Sequence, residues 1–235
     1  MRYYATASGP RVREAMRQGL LGMIATPACG HTVRAGVDWI ADNSVFAGHY
    51  PGDQRYLAWL RKRAHHAGRC ALATAPDVVG DAAATLARSA PMLPAIRALG
   101  YPVALVAQDG LEHLTVPWTS IDALFLGGST SWKLGPAAAD LAAQARHQRR
   151  HVHVGRVNSL RRLRYAASIG ADSADGTYLA YGPDRNLPTL LGWLRTVAQE
   201  STDAPDVQDR SIPAVRVNAD ARLPTDVVNG LPDIT

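Results

Sequence analysis

The sequence predicts an α/β fold: a compact (β/α)8 barrel of the TIM type with some helices missing, followed by an extended C-terminal tail. Eight short, apolar, β-prone runs lie within the first 199 of the 235 residues, and helical patterns separate most of them. Strands that alternate with helices favour a parallel sheet, and eight such strands are the number that closes a TIM barrel. A doubly wound open sheet is the alternative, but the sequence carries neither the Walker loop nor the GxGxxG fingerprint typical of that fold.

The individual elements follow from the alternation of apolar runs and helical periodicity. The eight predicted strands are RYYATA (2–7), GMIAT (22–26), DWIA (38–41), CALAT (70–74), VALVA (103–107), ALFL (123–126), HVHVG (151–155) and ADSAD (171–175). Helices are predicted over residues 10–19, 53–68, 81–100, 135–150, 159–170 and 186–199. Pro91 and Pro94 are expected to kink or split the helix over 81–100. The stretches 27–37 and 109–121 are predicted loops, so two of the barrel's helices are expected to be missing.

The predicted barrel accounts for one domain, residues 1–199. Residues 200–235 are a predicted Pro/Asp-rich extension, because this segment has four prolines, many aspartates and little periodicity. We expect no second domain there.

Composition excludes several classes of protein. Apolar residues make up 47% of the chain and charged residues 19%, which is typical of a globular protein. No apolar run approaches the roughly 18 residues of a membrane-spanning helix, and the N-terminus lacks the apolar stretch of a secretory signal. The two cysteines, Cys29 and Cys70, are too few for a disulfide framework or a four-cysteine zinc site. We therefore predict a cytoplasmic protein without a metal site.

Charge is distributed unevenly along the chain. The net charge is +5, yet residues 200–235 are acidic, so residues 1–199 are strongly basic. The segment 146–164 contains seven arginines and no acid. Such a bias favours a polyanionic partner such as nucleic acid, and a merely solvated basic face is the alternative.

Polar residues recur where successive predicted strands end. These positions are Asp42-Asn43-Ser44, Asp77, Gln108, Gly127-Gly128, Arg156, and Asp172 with Asp175. Active sites of TIM barrels lie at the carboxyl ends of the strands, so these residues predict a shared site. Without a metal, an aspartate can attack a carbon such as an anomeric centre, or accept hydrogen bonds from a nucleobase. His151 and His153 alternate on one strand, and we interpret them as lining the barrel through hydrogen bonds rather than as metal ligands.

These loop motifs resemble those of the tRNA-guanine transglycosylase superfamily, whose members are (β/α)8 barrels that exchange guanine for a 7-deazaguanine. The matching segments, in family order, are Asp42-Asn43-Ser44-Val45-Phe46 for D-S-G-G-F, Val106-Ala107-Gln108-Asp109-Gly110 for V-Q-G-G, Gly127-Gly128-Ser129 for G-G-L/F-S, and Gly170-Ala171-Asp172-Ser173-Ala174-Asp175 for G-V-D-x-F-D. Asp77 stands where the family has a second base-recognising aspartate.

The resemblance implies a role for each residue. Asp175 is the implied covalent nucleophile, and Asp42 the implied general acid–base. Asp172 has a supporting role, orienting Asp175 or pairing with an arginine. The implied base-binding residues are Asp77, Gln108, Gly127, Gly128, Asn43 and Ser44. The implied nucleic-acid contacts are Arg156, Arg161, Arg162 and Arg164, although Arg156 could instead lie at the pocket mouth.

Departures from the family pattern shape the expected substrate. The family's cysteine-rich zinc subdomain is absent, so no cofactor is expected. The residues of an RNA-binding C-terminal domain are absent as well. The chain is most similar to the short DpdA-like relatives that modify DNA, so DNA is expected rather than tRNA. The second substrate would be guanine or a 7-deazaguanine such as preQ0, and partner proteins could assist. The alternatives are the same chemistry on tRNA, an N-glycoside hydrolase-like barrel with two carboxylates, and a module that only binds a base or nucleic acid.

Overall fold

A computed structural model describes residues 1–203 of the chain. Most of the predicted extension, residues 204–235, lies outside the described residues. Its first residues belong to the last helix, which ends at Asp203 rather than at residue 199.

Eight parallel strands form a closed barrel in which each strand pairs with its neighbours in the chain, as predicted. The strands are β1 (Arg2–Ala5), β2 (Gly22–Ala25), β3 (Trp39–Ala41), β4 (Cys70–Thr74), β5 (Val103–Ala107), β6 (Ala123–Leu126), β7 (His151–Val154) and β8 (Ser173–Gly176). β8 pairs with β1 and closes the barrel, with Tyr3 opposite Ala174 and Tyr4 opposite Asp175.

Helices surround the barrel. They are α1 (Pro10–Arg17), α2 (Asp53–Arg61), α3 (Ala82–Ser89), α4 (Met92–Arg97), α5 (Thr130–Lys133), α6 (Pro136–His147), α7 (Leu160–Ser168) and α8 (Pro183–Asp203). The helix predicted over 81–100 is split into α3 and α4 at Pro91, as the two prolines indicated. The predicted loop 27–37 contains no helix, and 109–121 contains only two short 3-10 turns. No helix within residues 1–203 is long and apolar enough to cross a membrane.

The last strand differs from its predicted bounds in a way that matters for the site. It was expected at 171–175 and lies at Ser173–Gly176. Gly170 adopts a left-handed φ of 73° and the amide of Ala171 donates to the carbonyl of Ala166, so these residues complete the C-terminal turn of α7. Asp172 therefore precedes β8, whereas Asp175 is its third residue.

Two apolar layers hold the barrel together. Alternate strand residues face inward and fill the barrel with Tyr4, Ile40, Leu72, Ala104, Val106, Ala123 and Phe125. The other strand residues pack outward against the helices in a larger cluster. His153 belongs to the inner layer, where its ring centroid lies 4.5 Å from that of Phe125. The interpretation of this histidine as a barrel-lining residue is confirmed.

Candidate functional site

A cavity of about 330 Å3 opens at the carboxyl ends of the strands. The predicted site residues that line it are Asp42, Asn43, Asp77, Gln108, Gly127, Gly128, Arg156, Arg162 and Asp175. Its apolar walls include Ile24, Phe46, Val79, Val106 and Phe125. The strand-end residues therefore meet in one place, as the barrel topology predicted.

Asp42 follows β3 and lies among protein groups on most sides. Its Oδ1 accepts a hydrogen bond of 2.8 Å from the amide of Ser44. The pKa of Asp42 is raised to about 7, chiefly by burial and further by the nearby carboxylates of Asp175 and Asp77, while the hydrogen bond from the Ser44 amide opposes the rise. A carboxyl group with this pKa can both donate and accept a proton near neutral pH.

Asp77 is held by two amide side chains. Asn43 Nδ2 donates to its Oδ1 at 3.1 Å, and Gln108 Nε2 donates to its Oδ2 at 2.7 Å. Burial raises the pKa of Asp77, and the hydrogen bonds from Asn43 and Gln108 oppose this shift. The side-chain oxygen Oε1 of Gln108 in turn accepts a hydrogen bond of 3.0 Å from the backbone amide of Gly80. Asn43 and Gln108 thus orient Asp77 toward the cavity.

Ser44 does not line the cavity, in contrast to its predicted base-binding role. It adopts a left-handed φ of 68° in the turn that Asp42 and Asn43 stabilise by accepting backbone hydrogen bonds. Its buried Oγ has no hydrogen-bond partner among residues 1–203. Ser44 therefore shapes the Asp42 loop instead of presenting its side chain to a ligand.

The Gly127-Gly128 pair has its backbone groups committed within the protein. Both amides donate to the carbonyl of Ala107 at 3.0 Å, and both carbonyls accept from the guanidinium of Arg156. A Cβ on Gly128 would overlap the ring of Trp132, so a larger residue there would force that ring to move. The backbone that was predicted to contact a base lines the cavity, and its two carbonyls also bind Arg156.

Arg156 is part of the cavity wall. Its backbone adopts a left-handed φ of 61°, which turns its amide toward Asp175. Its guanidinium lies 4.4 Å from the centroid of the Phe46 ring. The alternative expectation of a position at the pocket mouth is the one that the structure supports.

Asp175 lies at the base of the cavity and is 7% exposed. Its Oδ1 accepts from the amide of Arg156 at 3.0 Å, and its Oδ2 lies 3.0 Å from Nε2 of His153. Two groups thus fix the orientation of this carboxylate.

The three other predicted arginines, Arg161, Arg162 and Arg164, lie on different sides of α7. Arg162 lines the cavity and donates to the carbonyl of Arg156 at 3.1 Å. Arg164 lies on the outer surface, paired with Glu200 of α8 at 2.6 Å. Arg161 is exposed and outside the cavity lining. Of the four, only Arg156 and Arg162 belong to the site.

Asp172 lies at the opposite end of the barrel. Its Oδ2 accepts from the amide of Val152 at 2.8 Å and lies 4.0 Å from Nδ1 of His151. The prediction that Asp172 contacts Asp175 or an arginine is wrong, because β8 begins after Asp172 and directs it to the amino-terminal face. Its role is to hold the start of β7 and β8 together.

Two further features adjoin the cavity. Lys133 is 2% exposed, and its Nζ donates to the carbonyl of Gly155. The pKa of Lys133 is lowered to about 7, chiefly by burial and then by the charge of Arg156, while Asp175 opposes the shift. This lysine is one of two in a chain otherwise basic through arginine, and it does not itself line the cavity.

The second feature is a groove of about 640 Å3 between the β8–α8 loop and α8. Its lining residues are Asn158, Thr177, Tyr178, Tyr181, Arg185, Asn186 and Thr189. Asn158 and Thr177 also line the first cavity, so the two spaces adjoin.

Histidine, cysteine and carboxylate side chains form no group of three or more that could hold a metal ion within residues 1–203.

Comparisons with known proteins identify the fold of the chain but do not assign it to a family. No family model matches the chain, and no curated protein matches it. The native KDPGal structure is 12% identical, with a TM-score of 0.58 over 87% of this chain and 97% of that chain. Tryptophan synthase subunit alpha from Legionella pneumophila is 8% identical, with a TM-score of 0.52 over 85% of this chain and 93% of that one. The chain therefore has a TIM-barrel fold that known enzymes also have.

Proposed function

We propose that the protein is a transglycosylase that exchanges guanine for a 7-deazaguanine in nucleic acid through a covalent Asp175 intermediate. The observation that carries the proposal is a pair of carboxyl groups with different environments in one cavity. Asp175 is oriented by two hydrogen-bonding groups, whereas Asp42 has a pKa raised to about 7. Such a pair suits a nucleophile and a general acid–base respectively.

In the first step, an Asp175 oxygen forms a bond to C1′ of the target nucleotide as the C1′–N9 bond breaks. The electron pair of that bond goes to N9 of guanine, and protonated Asp42 supplies the proton that neutralises the departing base. In the second step, ionised Asp42 takes the N9 proton of the incoming base. That base bonds to C1′ while Asp175 leaves as a carboxylate, with overall retention of configuration.

The cavity walls support a flat, hydrogen-bonding ligand. The rings of Phe46 and Phe125 and the side chain of Val106 offer apolar surface to a purine. Asp77 presents a fixed carboxylate that can accept from the N1–H and 2-amino groups of guanine. These donors distinguish guanine from adenine, which lacks both.

The adjoining groove supports a polymer rather than a free nucleoside as the substrate. Tyr181 is 76% exposed there and offers a ring on which a neighbouring base can stack. Arg185 in the groove and Arg162 in the cavity supply charge for phosphates. We favour DNA over tRNA from the sequence departures, place the reaction in the cytoplasm, and expect a target in duplex DNA to be flipped out of the stack.

The test supplies labelled guanine or preQ0 with duplex DNA, single-stranded DNA and tRNA in separate reactions. Label should enter DNA with the wild-type protein and not with Asp175→Asn or Asp42→Asn. Asp140→Asn, at an exposed carboxylate of α6, is the matched control and should retain exchange.

Other outcomes identify the alternatives. Label in tRNA alone would keep the chemistry and overturn the choice of polymer. Release of free base without incorporation would identify a hydrolase. Binding of nucleic acid without exchange or release, unchanged in Asp175→Asn, would identify a binding module.

A further inference from the structure

A continuous line of polar side chains crosses the barrel interior beneath Asp175. His153 Nε2 lies 3.0 Å from Asp175 Oδ2, and His153 Nδ1 lies 2.7 Å from Ser173 Oγ. The same hydroxyl lies 2.6 Å from Nε2 of His151. These residues alternate along the paired strands β7 and β8, so their side chains share the inner face of the barrel. The line runs from the cavity to the amino-terminal face.

The middle and the far end of the line differ in their access to water. The His153 side chain is 0% exposed, with its ring centroid 6.1 Å from that of Tyr4 and 4.5 Å from that of Phe125. The His151 side chain is 29% exposed and lines a separate cavity of about 300 Å3 with Asp172. Burial lowers the pKa of His151, so its imidazole is neutral at neutral pH. Solvent protons can reach the line at His151.

Charged groups surround both ends of the line. The titratable or charged groups around Asp175 are Tyr3, Asp42, Lys133 and Arg156. Those around His151, besides His153, are Asp172, Arg146, Arg149 and Arg150. In the middle of the line, His153 contacts Asp175 on one side and otherwise meets the rings of Tyr4 and Phe125 and the hydroxyl of Ser173.

The donor direction along the line follows from the proton on Ser173. A hydroxyl has one proton, so Ser173 can donate to only one of its two histidine neighbours and must accept from the other. When Asp175 is ionised and His153 carries one ring proton, His153 donates from Nε2, its Nδ1 accepts from Ser173, and Ser173 accepts from Nε2 of His151. When Oδ2 of Asp175 carries a proton, every donor reverses and His151 holds its proton on Nδ1.

We propose that His153, Ser173 and His151 are positioning residues that orient Asp175 and couple its charge to the proton position on His151. As Asp175 is protonated, one proton binds Nδ1 of His151, and the Nε2 proton of His151 moves to Ser173. The former Ser173 proton moves to Nδ1 of His153, and the Nε2 proton of His153 moves to Asp175. One proton enters at one end and one arrives at the other. The coupling holds for any reaction that changes the charge of Asp175, so it does not rest on the exchange reaction proposed above.

Ring 15N shifts of the two histidines at neutral pH test the coupling in the full-length protein. In the wild type, we expect both histidines to carry their proton on Nε2. Asp175→Asn preserves the side-chain shape, and its oxygen must accept from the amide of Arg156, so its NH2 group faces His153. We therefore expect both histidines to move their proton to Nδ1, including His151 at the far end.

Two further variants separate the coupling from a local effect. Asp140→Asn is the matched control and should leave both histidines as in the wild type. Ser173→Ala combined with Asp175→Asn removes the linking hydroxyl, so only His153 should switch. An unchanged His151 in Asp175→Asn would overturn the proposal. A histidine protonated on Nδ1 in the wild type would overturn it as well, and that measurement needs no variant to fold.

Discussion

Replacing Asp42 with asparagine changes the charge of the cavity while preserving its shape. The pKa of the wild-type carboxyl is raised from 3.8 to about 7, first by burial and then by Asp175 and Asp77, against the Ser44 amide. A folded-state pKa above the unfolded one means that the native protein keeps a proton that the unfolded chain has released. The stability from that proton is complete below the unfolded pKa and is lost as the pH rises through the folded pKa.

The size of this effect follows from the two pKa values. Between about pH 5 and about pH 8, the free energy of unfolding of the wild type should fall by about 2.5 kcal/mol relative to that of Asp42→Asn. Urea denaturation across this range measures the difference, and Asp140→Asn should follow the wild type. If the difference in free energy of unfolding between the wild type and Asp42→Asn stays constant to within about 0.5 kcal/mol across this pH range, the raised pKa is refuted.

Three other substitutions probe the surroundings of the cavity. Lys133→Met should lower the free energy of unfolding by about 1–3 kcal/mol, because a buried backbone carbonyl loses its donor; urea denaturation measures this, and unchanged stability would contradict it. Gly128→Ala should cost about 1–3 kcal/mol by the same assay, since the new methyl overlaps the Trp132 ring. Arg162→Ala should weaken DNA binding and reduce the salt slope of affinity by about 1, whereas Arg164→Ala should leave the slope unchanged. Equal salt slopes for these two variants would show that Arg162 does not contact the phosphates of the DNA.

Much of the fold could be predicted because periodicity is a local property of the sequence. The runs CALAT, VALVA and ALFL have the same bounds in the structure as in the prediction. The bounds of the strand predicted at 171–175 were harder to predict, since the left-handed Gly170 and the hydrogen bond from Ala171 to Ala166 extend the end of α7, which residue types do not reveal. That shift is why Asp172 and Asp175, three residues apart, lie at opposite ends of a strand.

The site could be predicted only to the level of which residues follow which strand. Barrel topology brings Asp42, Asp77 and Asp175 together whatever the details of the loops. Side-chain partners depend on tertiary geometry that is invisible in the sequence. Arg156 and Arg164 belong to the same basic segment, yet Arg156 binds the backbone of the cavity wall and Arg164 pairs with Glu200 of α8.

The position of Asp175 on the strand that closes the barrel has a consequence for how the protein matures. β8 pairs with β1, the first strand of the chain, so the ring can be completed only after nearly the whole barrel has been synthesised. Pairing of segments so distant in sequence carries a large loop-closure entropy and slows folding. A ribosome-bound chain that has emerged only as far as α7 contains Asp42 and Asp77 but lacks Asp175. Any reactivity that depends on Asp175 therefore begins only when β8 has paired with β1 and the barrel has closed.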